Sequence, residues 1–188
     1  MNTTDVWKKE FADRFAKYFD EFKWLYCEVY NNDMHAFHWL VNAMYEFYEA
    51  RNSALKALDR KRESTPFWYS TNDLIGMMMY VDNFAGDLKG VRKNLDYIRD
   101  SGVNYLHLMP LLKSPKDKSD GGYAVSDFRS VQPELGTIDD LEALTAACHE
   151  NDISVCLDFV MNHTSEEHEW ARAARAGDEE MRKRYFFF

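Results

Sequence analysis

Cysteine, proline and glycine are all scarce in this chain: of 188 residues, 3 are Cys, 4 are Pro and 8 are Gly. The cysteines, Cys27, Cys148 and Cys156, are odd in number and widely spaced, and no C-x-x-C occurs. Neither a disulfide framework nor a zinc site follows from that pattern. Cys156 sits within an apolar run, where a free thiol behaves as a small hydrophobe, and a reducing compartment is the simplest setting. No run approaches the roughly 18 apolar residues of a membrane span. The opening MNTTDVWKKEFADRF has no apolar stretch of signal-peptide length. These absences predict a soluble, cytoplasmic protein. Positive charge is also in deficit: 23 Lys and Arg against 32 Asp and Glu leave a formal net charge of −9. That balance argues against nucleic acid or an anionic membrane as the main partner.

Apolar and aromatic residues are abundant instead. They make up 46% and 15% of the chain, enough for a sizeable core and too much for a disordered segment. Between Asp5 and Val29 the residues Trp7, Phe11, Phe15, Tyr18, Phe22, Leu25 and Val29 recur at three- and four-residue steps. That period predicts a helix. Asn31-Asn32-Asp33 reads as a turn and cap. A second helical pattern runs from Phe37 through Tyr48 and, with a break near Asn52-Ser53, on to Arg62. Together they predict an all-helical domain over residues 1–70, its aromatic stripes packed on one another. His35 and His38 lie three apart beside Asp33, but no third ligand is visible, and no metal is predicted.

After Pro66 the rhythm changes. Leu74 to Val81 is a continuous apolar run, read as a buried strand, followed by a polar loop from Asp82 to Gly86. Leu88, Val91, Leu95 and Ile98 mark one face of a helix that Gly102 ends. Asn104 to Pro110 is a second strand, and a long loop follows to Thr137. Ile138, Leu141, Leu144 and Cys148 face one side of the next helix, with Asp139 and Asp140 favourable near its N-terminus. Ile153 to Phe159 reads as a third strand buried on both faces. Glu166 to Ala176 is helix-like, its first carboxylates suiting the helix dipole, with Gly177 as the stop. The chain closes on Tyr185-Phe-Phe-Phe188, an unusual surface terminus.

Strand, helix, strand, helix, strand makes two βαβ units and an α/β class. A dinucleotide-binding fold would want G-x-G-x-x-G after the first strand, where the chain reads Val81-Asp-Asn-Phe-Ala-Gly-Asp87. Long polar loops at the strands' carboxyl ends favour a (β/α)8 barrel instead. The sequence thus predicts the first three βα units of a TIM barrel, incomplete, over residues 71–188.

Two of those loops carry chemistry. Asp158, Asn162 and His163 follow the third strand, where parallel α/β folds bind ligands. Taken alone, Asp158 could equally serve backbone groups and His163 could be an ordinary loop histidine. In the loop after the second strand, Gly121-Gly122 permits a tight turn flanked by Asp120 and Tyr123. A tyrosine ring can stack on the apolar face of a sugar while its hydroxyl hydrogen-bonds. An aspartate can accept from sugar hydroxyls or pair with a distant arginine, and a plain glycine turn is the alternative.

Asp158-Phe-Val-Met-Asn162-His163 resembles the DxxxNH signature of the α-amylase superfamily of glycoside hydrolases (family 13), and Gly122-Tyr123 matches its G-Y motif. Ala57 to Arg62, Tyr80 to Asp87, Tyr105 to Leu112, Ser119 to Ser126, Val131 to Thr137 and Asp158 to Glu169 are similar to the amylosucrase branch. The resemblance implies that Tyr123 stacks on the glucosyl ring before the scissile bond and that His163 hydrogen-bonds a glucosyl hydroxyl. It implies that Asp120 pairs with an arginine from later in the family's chain, and that Asp158 orients polar groups at the barrel mouth. Asn162 matches a calcium ligand of many amylases. This branch generally lacks that calcium, so neither metal nor cofactor is expected.

The implied activity is retaining cleavage of sucrose with transfer of glucose to an α-1,4-glucan, one carboxylate attacking and another moving the proton. The alternatives are an α-glucosidase, a trehalose- or starch-acting relative, or a non-catalytic saccharide-binding or interaction module. The family's catalytic carboxylates follow its fourth, fifth and seventh strands, and this chain reaches only a third. The resemblance therefore implies an N-terminal portion, inactive alone, whose nucleophile and acid/base lie beyond Phe188. Its unpaired strand edges invite self-association.

Overall fold

The computed structural model describes residues 3–187, with side chains from Lys8 onward. The side chains of Trp7 and Phe188, placed by sequence in the aromatic stripe and the apolar terminus, lie outside the described residues. The chain divides into two compact units, Met1–Trp68 and Tyr69–Phe188.

The first unit holds α1 (Thr3–Tyr30), α2 (Met34–Ala50) and α3 (Ser53–Ser64). The turn between α1 and α2 uses Asn31 and Asn32 at positive φ, a region asparagine enters more readily than most residues. Asp33 then caps α2, its carboxylate accepting the Ala36 N–H at 3.0 Å. The break near Asn52 is real: its side chain accepts the Ala54 N–H at 2.8 Å and starts α3. The aromatic stripes meet as a ladder, though not with every residue expected: Tyr18, Leu25 and Val29 are exposed, and Phe19 and Tyr26 pack against Phe37 in their stead. Phe15 and Phe22 lie 6.0 Å apart, Phe22 and Phe37 5.5 Å, and Phe11 and Tyr45 5.4 Å between ring centroids. Lys56 is buried in this unit, and its ammonium donates to the Glu49 carbonyl at 2.9 Å.

The second unit opens with β1 (Gly76–Met79), α4 (Val81–Ala85), α5 (Leu88–Lys93), α6 (Leu95–Asp100) and β2 (Tyr105–Leu108). It continues through β3 (Leu112–Lys113), β4 (Asp127–Val131), α7 (Ile138–Glu150), β5 (Ser154–Leu157), α8 (Glu169–Arg175) and α9 (Glu179–Arg182). The strands β1, β2 and β5 form a parallel sheet in that order, with Met78, His107 and Cys156 in register. The core lies on one face of it, where Leu106 and Leu108 meet Leu88, Val91, Ile98, Leu144 and Cys148.

Several expectations need correction. Asp82 to Gly86 is not a loop: Val81 is buried, Phe84 packs on the core, and the short helix α4 ends at Gly86 with φ +83°. The single helix expected over Leu88 to Ile98 is two, divided at Asn94, whose side chain donates to the Gly90 carbonyl at 2.9 Å. The long loop after β2 contains the antiparallel pair β3 and β4. Glu166 and Glu167 precede α8 rather than open it, because His168 is the cap, its ring nitrogen accepting the Trp170 N–H. The strands are buried on one face only. Helices cover Met77, Leu106 and Val155, whereas Met78 on the opposite face is 65% exposed. Among the described residues no further strand folds over that second face. No described helix is long and apolar enough to cross a membrane.

Candidate functional site

The uncovered face of the sheet leads into the polar site. Strand alternation puts His107 and Cys156 on that face, and Asp158, two residues past Cys156, follows at its carboxyl end. Tyr123 arrives from the loop between β3 and β4. Gly121 and Gly122 both have positive φ, and the Tyr123 N–H closes the turn on the Asp120 carbonyl at 3.2 Å. A Cβ on Gly121 would lie 2.8 Å from the Tyr80 hydroxyl, and one on Gly122 3.0 Å from Cβ of Pro110. Only glycine lets the loop lie this close to its neighbours.

Tyr123 and Asp158 meet directly. The phenol donates to Asp158 Oδ2 at 2.7 Å, and His107 Nε2 stands 2.9 Å from Asp158 Oδ1. The Tyr123 hydrogen bond, with a second from His107, holds the Asp158 carboxyl below its usual range despite partial burial. The same bond pushes the Tyr123 phenol up to about 12, so it remains a neutral donor. An ionised carboxylate only accepts, so the proton between Asp158 and His107 belongs to Nε2. Tyr123 itself is 38% exposed.

The loop is fastened to the segment after β5. Lys118 pairs with Glu166 at 3.2 Å and Glu167 at 3.1 Å, while Arg175 and Arg172 hold those carboxylates from α8. The Ser165 N–H donates to the Val125 carbonyl at 2.8 Å, and Ser165 is buried. Below, the buried His168 ring lies against Phe128 and Trp170.

Of the residues singled out by sequence, the structure brings Tyr123 and Asp158 into contact. Asp120 shares their turn through its carbonyl, and its exposed carboxylate has no partner among the described residues. Asn162 and His163 are exposed and adjacent, their nitrogens 3.5 Å apart at the limit of a hydrogen bond, and neither bonds to the Tyr123–Asp158 pair. His107 was missed. The signal was there in alternation: a polar residue between buried Leu106 and Leu108 must face away from the core. A depression of about 340 Å³ beside the glycine turn is lined by Tyr80, Asp82, Ser114, Ser119 and Gln132. Among the described residues no cluster of three or more His, Cys, Asp or Glu could hold a metal.

The catalytic domain of alpha amylase, as a family model, matches residues 64–188. Trehalose-6-phosphate hydrolase of Bacillus subtilis is 40% identical over 124 residues, which cover 61% of this chain and 21% of that protein. Maltase 1 of Drosophila virilis is 47% identical over 91 residues, 48% of this chain and 14% of the maltase. Among solved structures, trehalose-6-phosphate hydrolase (TreA) of Bacillus licheniformis matches with a TM-score of 0.58 at 33% identity, over 65% of this chain and 22% of that one. A mutant of the trehalulose synthase MutB with the substrate sucrose gives a TM-score of 0.57 at 33% identity, with 65% and 22% covered. The chain thus spans between 14% and 22% of the length of these relatives. The family match takes in most of the chain and all the residues that build the Tyr123–Asp158 site, and the chain belongs to the alpha-amylase family through its catalytic domain.

Proposed function

We propose that residues 69–188 supply one wall of the glucosyl pocket of a retaining enzyme that acts on α-glucosides, with a disaccharide of the maltose or trehalose type as substrate. The observation that carries this is the Tyr123 ring, part exposed above a glycine turn and held through its hydroxyl by an ionised Asp158. A phenol fixed at its polar end offers its ring face for stacking on a sugar. In this reading Tyr123 is the platform under the glucosyl ring and His163 reaches a hydroxyl. Asn162 and Asp158 structure the site. Asp120 is free to pair with an arginine from elsewhere.

Retaining chemistry needs two carboxylates about 5 to 5.5 Å apart across the bond. Asp158 is not one of them, because both its oxygens are engaged by Tyr123 and His107. Glu166 and Glu167 are engaged by Lys118 and by the arginines of α8. The reading therefore assigns nucleophile and acid/base to parts of the relatives that have no counterpart in these 188 residues. The relatives named above, a maltase and trehalose-6-phosphate hydrolases, favour disaccharide hydrolysis over the glucan synthesis implied by the amylosucrase resemblance. Sucrose is kept as the second substrate, since a MutB mutant was solved with it.

The test is a panel of maltose, trehalose and sucrose against the purified 188-residue protein, read for binding by NMR and for released monosaccharide. The expected result is weak binding that Tyr123→Ala abolishes, with no turnover. Turnover within a hundredfold of the about ten per second typical of enzymes would overturn the assignment of the carboxylates. No response of Tyr123 to any of the sugars would overturn the pocket itself.

A further inference from the structure

We infer that His107 is a positioning residue for the sugar platform: from within β2 it fixes the Asp158 carboxylate, and Asp158 in turn fixes the Tyr123 phenol. The inference rests on the reading of Tyr123 given under the proposed function and adds to it the group that sets the ring's place.

The argument begins with what holds Tyr123. Its backbone N–H bonds within its own turn, to the Asp120 carbonyl, and that turn contains two glycines at positive φ. A glycine turn does not by itself aim a ring. Among the described residues, the hydrogen bond of the Tyr123 side chain is the 2.7 Å contact with Asp158, just past the end of β5. A carboxylate with one partner can still turn about its own axis. The second oxygen is held at 2.9 Å by His107 Nε2 from the neighbouring strand. With both oxygens held, the plane of the carboxylate is set by two paired strands, and the direction in which the phenol must approach is set with it. The register neighbours of His107, Met78 and Cys156, carry no carboxylate, and the acid its ring meets among the described residues is Asp158. His107 is partly buried, contacts Asp158 and touches no sugar in this reading, which makes it a positioning residue rather than a catalytic one.

The test compares His107→Leu with His107→Gln, whose amide N–H reaches about as far as Nε2. The 188-residue protein, labelled for carbon NMR, is followed at the Asp158 carboxyl and the Tyr123 ring, assigned with Asp158→Asn and Tyr123→Phe. Maltose is the probe. In His107→Leu the Asp158 titration should move upward, and the maltose concentration that half-saturates the Tyr123 response should rise about fivefold, the size of one net hydrogen bond. His107→Gln should remain within about twofold of wild type on both readings. If the leucine variant fails to fold, His107→Asn, too short to reach Asp158, takes its place.

A maltose response that His107→Leu leaves unchanged overturns the inference, even if Asp158 titrates differently, because His107 would then be a neighbour without a positioning role. A glutamine variant no better than the leucine variant also overturns it. If wild-type Tyr123 ignores maltose, the platform reading falls and takes the inference with it. An Asp158 titration that ignores His107 removes the inference alone.

Discussion

At the scale of single residues, the titration behaviour of Asp158 and Tyr123 leads to a prediction about pH. Asp158 is held below its unfolded value, chiefly by the Tyr123 hydrogen bond. A depressed carboxylate stabilises the fold above its unfolded pKa of about 3.9 and loses that contribution as pH falls through the folded value. Glu10 beside the Tyr48 hydroxyl, Asp127 beside the Ser130 hydroxyl and Glu166 beside Lys118 are lowered as well. Tyr123 runs the other way. Raised to about 12, its contribution is whole below the unfolded value of about 10 and is lost as pH climbs through 12. Melting temperature should therefore be flat from about pH 6 to 9 and fall below about pH 4.5. The acid limb should be shallower in Asp158→Asn than in wild type. Thermal melts across pH decide it, and identical limbs would remove Asp158 from the list of depressed groups. At this scale the acid and the tyrosine could be read because each stands in a polar loop after an apolar run. His107 stands in no polar loop, and alternation within its strand was its one signal. One imidazole within Tyr105-Leu-His-Leu-Met-Pro looks like an interruption of a buried strand until the empty face of the sheet is known.

The elements that carry these residues follow from period and capping, and their failures have local causes. Apolar periodicity marks α1, α2 and α7 in the sequence, and side-chain caps start α2, α3 and α7, the last with a full capping box between Thr137 and Asp140. Replacing Asp33 with Ala should cost about 1 kcal/mol through the cap of α2, measurable by urea unfolding. The segment from Val81 to Asp100 was harder: period marked the buried face Leu88, Val91, Leu95 and Ile98, but not the short helix α4 or the division at Asn94. Gly90 shows how tight the packing is: a Cβ there would stand 2.1 Å from the Ala85 carbonyl. Gly90→Ala, normally helpful in a helix, should instead destabilise by about 1 to 3 kcal/mol. A gain in stability would mean that α4 and α5 shift apart freely. β3 and β4 escaped notice because one is two residues long and their register shifts between Leu112 and Lys113.

For the molecule as a whole, the parallel sheet presents one covered face and one open face, flanked by two edge strands among the described residues. Phe159 and Met161, at 62% and 85% exposure, lie just beyond β5. Unpaired edges beside exposed apolar groups favour association. Sedimentation at rising concentration should show self-association, reduced by Met161→Lys and Phe159→Lys. A monomer unaffected by concentration would count against it. The α/β class and the sequence positions of its three parallel strands could be read from apolar runs alone. That one face stays open could not, because a run such as Leu74 to Val81 gives no sign of what lies opposite it.

The Tyr123–Asp158–His107 contacts join positions 35 and 51 residues apart along the chain. Pairings that distant form late, after the local helices, because the intervening chain must first be gathered in. Tyr123 acquires its partner only when β5 docks beside β2, so its phenol acts as a clock for the last step of sheet assembly. In refolding from urea, the tyrosine's environment should reach its native state after helical circular dichroism has recovered. Any chain released before Asp158 is in place would hold a fully formed glycine turn with nothing to aim it.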